Sequence, residues 1–254
     1  MRKAALGVVL CLGSVWGFAQ AVTGIIYEFT GGNVTNGGVV TEGIDGDIEI
    51  YPSATDYVES DVRMRVEGGS LSIGNYYSSI GSNNAVIHGH WSTMDRVVFE
   101  QVDGDTFDLN YYKLTSNPSE GTGAGVNVVS IIASEDGTTE SFRSTLPAEN
   151  WGDDEVTEVY LGPEFDGIKA FWFESDIDDL KCFGMDTFYI NKAPPEPTTE
   201  SPIIIGSGSV EEAIQEAPAQ SAPAPAKPVP GLQFYALVLF SLLLGVLGLK
   251  QLRT

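Results

Sequence analysis

RVVFEQVDGDTFDLNYYKL, residues 96–114, decides the fold. Its first part, 96–102, is a short β-branched and aromatic run. In its second part Phe107, Leu109 and Tyr111 alternate with Asp108 and Asn110. A period of two puts one set of side chains on a core and the other in water, the pattern of a half-buried strand. Between the two parts lies Val102-Asp103-Gly104-Asp105-Thr106, where Asp-Gly supplies the positive φ angles of a tight hairpin. The expectation is therefore two strands joined as a hairpin.

The same pattern continues outward in both directions. Val62, Met64 and Val66 alternate with Arg63 and Arg65, and Asp136-Gly137 offers a second tight turn. Further strands are expected at 25–29, 47–51, 85–90, 126–134, 156–161, 168–174 and 183–191. No long stretch has helical periodicity. Around ten short strands separated by Gly, Ser, Asn and Asp predict an all-β domain over 22–193, an antiparallel β-sandwich.

The two ends read differently. Residues 1–21 open with Arg2 and Lys3, run apolar to Phe18 and close on Ala19-Gln20-Ala21, the small-x-small spacing that signal peptidase reads. A signal peptide is expected, with an uncleaved anchor as the alternative. A lipoprotein reading of Cys11 fails, because Leu10 stands where a small residue is needed. At the other end, 231–254 is apolar on every face and finishes with Lys250 and Arg253, which predicts one transmembrane helix with its basic tail in the cytoplasm. Between domain and helix, 194–230 holds nine of the thirteen prolines among Ala, Ser, Glu and Gln, the composition of a disordered linker. Within it Ser209-Val210-Glu211-Glu212 has a capping-box pattern, so a short helix to Glu216 is expected. The chain would then be held in the inner membrane with its domain outside the cytoplasm, open to release at the linker.

Pro228-Val229-Pro230-Gly231, the apolar run and the terminal basic cluster together resemble the C-terminal sorting signals processed by bacterial exosortases, the PEP-CTERM and IPTL-CTERM families. Neither Pro-Glu-Pro nor Ile-Pro-Thr-Leu is present, and Val229-Pro230-Gly231-Leu232 is nearest in shape to the second type. The resemblance implies an exosortase-like processing enzyme as partner beside signal peptidase. In the domain, FDLNYYKLT, VNVVSIIASEDG, VTEVYLGPEFDGIKAFWFES and CFGMDTFYIN occur in that order. Over 85–191 they resemble the β-sandwich domain of PEP-CTERM-type exported proteins. That likeness implies a jelly-roll-like fold related to carbohydrate-binding modules.

Charge narrows the function. The part between the ends carries all thirty-five acidic residues but nine of the thirteen basic ones, a formal charge of −26. Nucleic acid and anionic lipid both require basic patches, so neither is an expected partner. Once the signal leaves, Cys182 is the one cysteine, which precludes an internal disulfide. Its setting in KCFGMDTF reads as a buried, inert thiol inside a strand, with a reactive thiol or an intermolecular disulfide as the alternative.

Candidate sites are few. His88 and His90 stand two apart on an expected strand and so share a face, a possible metal pair needing a carboxylate such as Asp95. Two solvated strand histidines are the plainer reading. Acidic turns, including Asp45-Gly46-Asp47 and Asp103-Gly104-Asp105, offer oxygens to a structural calcium, though none has EF-hand spacing. Turn formation accounts for the same residues. Trp151, Tyr76 and Tyr77 lie in expected loops as candidates for stacking on sugar rings, whereas Trp91 and Trp172 are expected in the core. No G-x-S-x-G, H-E-x-x-H, phosphate loop or Cys-His arrangement occurs, and no carboxylate pair is marked by its context. The expected function is non-enzymatic, without a cofactor: a cell-surface or matrix protein whose domain serves adhesion or polysaccharide association. The alternatives are a glycan-active hydrolase using paired carboxylates and a purely structural surface domain.

Overall fold

The computed structural model describes residues 24–75, 86–89, 93–117, 128–149, 156–198 and 202–208. All of them belong to one compact unit, Met1–Ala217, while the second unit, Pro218–Thr254, lies outside the described residues. So do the expected signal segment, the helix after Ser209 and the apolar C-terminal run.

Sixteen strands form among the described residues. In chain order the first eight are β1 (Ile25–Tyr27), β2 (Asn33–Asn36), β3 (Val39–Thr41), β4 (Ile50–Ala54), β5 (Asp56–Glu59), β6 (Val62–Glu67), β7 (Leu71–Gly74) and β8 (Val86–His88). The second eight are β9 (Arg96–Gln101), β10 (Leu109–Ser116), β11 (Val129–Ser134), β12 (Phe142–Thr145), β13 (Thr157–Leu161), β14 (Ala170–Ser175), β15 (Gly184–Ile190) and β16 (Ile203–Ile205). Sheet one runs β16-β13-β10-β15-β8-β7-β4, with β1 also on β15, and sheet two runs β12-β11-β14-β9-β6-β5-β2-β3. Every pairing is antiparallel except β13 with β16. The domain is an all-β sandwich. The expected strands at 25–29, 96–102, 156–161, 168–174 and 183–191 all appear, whereas the one placed at 47–51 begins at Ile50 because Asp45–Ile48 is taken up by a turn.

The residues that build the core come from alternate positions on both sheets. Met64, Phe99, Phe171 and Phe173 of sheet two meet Tyr112, Leu114, Met185 and Phe188 of sheet one, all buried in one cluster. Phe188 is at its centre, with ring centroids 4.9 Å from Phe99 and 5.4 Å from Tyr112. Apolar burial at about 25 cal/mol per Å² is the main force that holds the two sheets face to face.

Four expectations are corrected. The Asp103-Gly104 turn forms, with Gly104 at φ +79° and its N–H donating to the Gln101 carbonyl, but it does not close a hairpin. Its two strands lie in different sheets, β9 between β6 and β14, β10 between β13 and β15. The turn is a corner that lets Phe99 and Tyr112 enter the same core from opposite sides. Asp136-Gly137, by contrast, does lie in a hairpin, joining β11 to β12. Secondly, the alternation in β10 breaks: Leu109 faces the core, but a bulge turns Tyr111 outward against Tyr160 and Tyr189, and Tyr112 faces inward. Thirdly, Cys182 is buried and outside any disulfide, as expected, yet it precedes β15 at φ +46° rather than lying in a strand. Burial raises its pKa, which keeps the thiol protonated near neutrality. Fourthly, Ile203–Ile205, inside the stretch expected to be linker, pairs with β13 and extends the domain. Three consecutive isoleucines in a proline-rich segment are enough to add an edge strand.

Candidate functional site

Among the described residues, the outer face of sheet two gathers every arginine. Between Arg2 and Arg253 there are four arginines, Arg63, Arg65, Arg96 and Arg143. All four lie on β6, β9 and β12 and reach carboxylates of the same sheet. The alternation in β6 explains the first two: Val62 and Met64 enter the core, so Arg63 and Arg65 must leave it. Antiparallel register brings the rest alongside. One row across the sheet is Ile132, Trp172, Val98, Arg65 and Asp56, and its neighbour is Ser130, Glu174, Arg96 and Glu67.

The groups form two linked networks. Arg63 meets Asp56 at 2.5 Å, Arg65 meets Glu100 at 3.2 Å, and Glu67 is shared by Arg65 and Arg96. Arg143 meets Glu140 at 2.9 Å and Asp176 at 2.7 Å, and also contacts Glu174. Trp172 lies between the networks, its indole N–H donating to Glu174 at 3.0 Å and the Arg96 guanidinium 5.3 Å from its ring centre. Trp172 is buried as expected, and the structure adds which cluster holds it. It lies in a four-residue cluster with Val98, Ile132 and Ala170 on the outer face, because Phe171 and Phe173 take the inward positions of AFWF.

Electrostatics fixes what this face can do. Burial pushes the Glu67 carboxyl up, but hydrogen bonds from Arg96 and Arg65 outweigh it and hold the pKa below the usual carboxylate range. Hydrogen bonding to Glu140 raises the Arg143 pKa further. Glu67 is thus kept charged, the opposite of what a general acid requires. Each half-exposed pair contributes about 0–1 kcal/mol, so the face is not a large source of stability. It is an array of forked donors and carboxylate acceptors.

The outer face of sheet one is different. Tyr111 packs edge-on against Tyr160 and Tyr189, the Tyr160 hydroxyl donates to the Pro195 carbonyl, and Glu158 receives Thr198. The segment after β15 therefore folds back over this side. Asp186 lies here, 2% exposed, in a bulge where Thr187 adopts φ +53° and donates its N–H to the carboxyl at 2.8 Å. Burial raises its pKa and outweighs the pull of that N–H and of Lys113, while Asp47 adds to the rise. A raised native pKa means that stability is fully present below the unfolded carboxylate value and is lost as pH climbs through the folded one. Asp186→Asn keeps the acceptor without the charge. Its expected result is a higher melting temperature than wild type at pH 8, by roughly 2–4 °C for about 1 kcal/mol, with the gap closing toward pH 4. Thermal melts of both proteins across that range check it, and a gap independent of pH would refute the burial argument.

The remaining sequence candidates fall as follows. His88 is in β8, opposite Ser72 and Gly184, while His90 lies outside the described residues. Asp103 accepts the Asp105 N–H at 3.0 Å and Asp45 that of Asp47 at 3.2 Å, so both pairs make side-chain turns. Among the described residues no group of three or more His, Cys, Asp or Glu is placed to hold a metal. Tyr76, Tyr77, Trp91 and Trp151 lie outside the described residues, as do Ala19, Ala21, Val229, Pro230 and Gly231. Sequence reading found the alternation of Arg63 and Arg65 but not the face they build. Its one signal was that Arg63, Arg65 and Arg96 fall within expected strands. Comparison with family models, curated proteins and solved structures returned no match.

Proposed function

We propose that this chain is a non-enzymatic exported surface or matrix protein, and that its jelly-roll-like sandwich associates with extracellular polysaccharide through the outer face of sheet two. The observation that supports the reading is the convergence of all four internal arginines on that face, interleaved with carboxylates. Planar guanidinium and carboxylate groups set side by side present paired donors and acceptors to vicinal sugar hydroxyls. The Arg96 side chain lies over Trp172, so on this face recognition proceeds by hydrogen bonding rather than by stacking on Trp172. Strong overall acidity suits a solvated extracytoplasmic surface. In this reading the N-terminal segment directs export, and the C-terminal run, resembling an exosortase signal, holds or sorts the protein at the envelope.

The test is co-sedimentation of the full chain with envelope polysaccharide, compared with a double R65A/R143A variant. The expected result is a loss of binding of about tenfold or more, equal to ~1.4 kcal/mol, with an unchanged fold by circular dichroism. Binding unaffected by the double change would sink the assignment of the face. Release of reducing ends from the polysaccharide would favour a hydrolase instead. In the same preparation, fractionation and intact mass report whether residues 1–21 and 231–254 are removed.

A further inference from the structure

The edges of the two sheets are not equally protected. On sheet two, β12 carries Arg143, tied into its ion-pair network. On sheet one, β4 carries Pro52 and a register shift at Ser53, which has φ +59°, and β16 exposes Ile204 alone. Charge, proline and irregularity are the devices that stop strand edges from pairing with other chains. β1, which pairs with β15 alone, is a further edge but exposes no residue, whereas β3 carries no charge, proline or irregularity. It reads Val39-Val40-Thr41, is exposed throughout, and leaves Val39 69% and Val40 57% accessible.

The hairpin that carries β3 fixes which of its groups are unpaired. Gly37 and Gly38, at φ +55° and +83°, form a two-residue turn, and the register pairs Asn36 with Val39, Thr35 with Val40 and Val34 with Thr41. In such a turn the closing residues exchange both hydrogen bonds, and bonded and non-bonded pairs then alternate. Val39 and Thr41 are therefore bonded to β2, while the N–H and C=O of Val40 point away from the sheet.

We propose that β3 is a homophilic docking edge, where a second copy of this chain adds its own β3 antiparallel across a twofold axis at Val40. A residue on such an axis pairs with itself, and Val40 is the one whose outward N–H and C=O can be exchanged reciprocally with its counterpart. The flanking register is self-complementary. Val39 falls opposite Thr41 of the second copy, and Gly38 opposite Glu42. No carboxylate faces a carboxylate along the seam, which matters in a chain of formal charge −22. The pairing would join two copies of sheet two into one continuous sheet and close as a dimer.

Cysteine substitution in the full chain, purified in detergent, tests the geometry. At the axis, V40C brings two copies of itself to a Cα separation of about 5.5 Å, within disulfide range. T41C meets Val39 instead and stands about 8 Å from its own counterpart, out of range. The expected result is a cross-linked dimer for V40C under mild oxidation, at least about tenfold more than for T41C or wild type. V40K should weaken concentration-dependent dimerisation by about tenfold or more and leave the melting temperature unchanged. A monomer at every concentration would overturn the proposal. Equal linking at T41C, a dimer indifferent to V40K, or V40C linking to a different protein would do the same.

Discussion

Phe188→Ala is expected to remove roughly 3–5 kcal/mol of stability, the range for deleting a large buried aromatic ring. Phe188 is the residue through which the sheets read one another. It extends from β15 in sheet one and touches Phe99, Phe171 and Phe173 of sheet two, while Tyr27, Phe29 and Tyr112 surround it. Tyr112 lies nearly parallel to it, at 16°. Truncation leaves a cavity bounded by other rings, which are stiff and held by their own strands, so the void cannot collapse. Domains of this size have about 5–15 kcal/mol in hand. The variant should therefore show a urea midpoint well below wild type, with the slope unchanged if the fold is retained. A loss under ~1 kcal/mol would mean that the aromatic cluster repacks freely.

Glu59→Ala is the second large effect, about 2–4 kcal/mol, and its cause is polar rather than apolar. Glu59 is buried at the end of β5. One of its oxygens accepts the Tyr57 hydroxyl at 2.9 Å and the other accepts the Glu28 N–H at 3.3 Å. The neighbouring backbone of Phe29 and Thr30 also favours its charged form. The same Tyr57 oxygen accepts the Gly32 N–H, so the connection from β1 to β2 is fastened to β5 at several points. Alanine leaves those donors buried without an acceptor. Burial raises the Glu59 pKa despite these bonds, so its contribution is fully present below the unfolded carboxylate value and declines as pH rises through the folded one. The deficit of the alanine variant should accordingly be larger at pH 5 than at pH 8 in paired denaturation curves. A deficit that grows with pH would contradict the assignment.

These two residues mark where sequence reading stops. The inward set of β6, Val62 and Met64, was legible because it alternates with arginine. β11 is buried at all six positions, and β5 and β12 are short and polar, so a pattern of two carries little signal there. Glu59 reads as one surface acid among thirty-five. Only its place under the β1–β2 connection makes it structural. The arginine face has the same character. Glu67 is shared with Arg96 across twenty-nine positions, and Glu174 with Arg143 across thirty-one. Such meetings depend on cross-strand register, which no local pattern encodes.

By itself the sequence determined the all-β class, the short strands and the acidic composition. These follow from properties of neighbouring residues: alternation, turn chemistry and composition. The tertiary structure decided that the Asp103-Gly104 turn crosses between sheets, that Trp172 faces outward, that Ile203–Ile205 belongs to the domain and that β3 is an open edge. Each of these depends on which distant strand lies alongside. Packing Phe99, Tyr112 and Phe188 into one core settles that choice, because burying them together excludes water from both sheets at once.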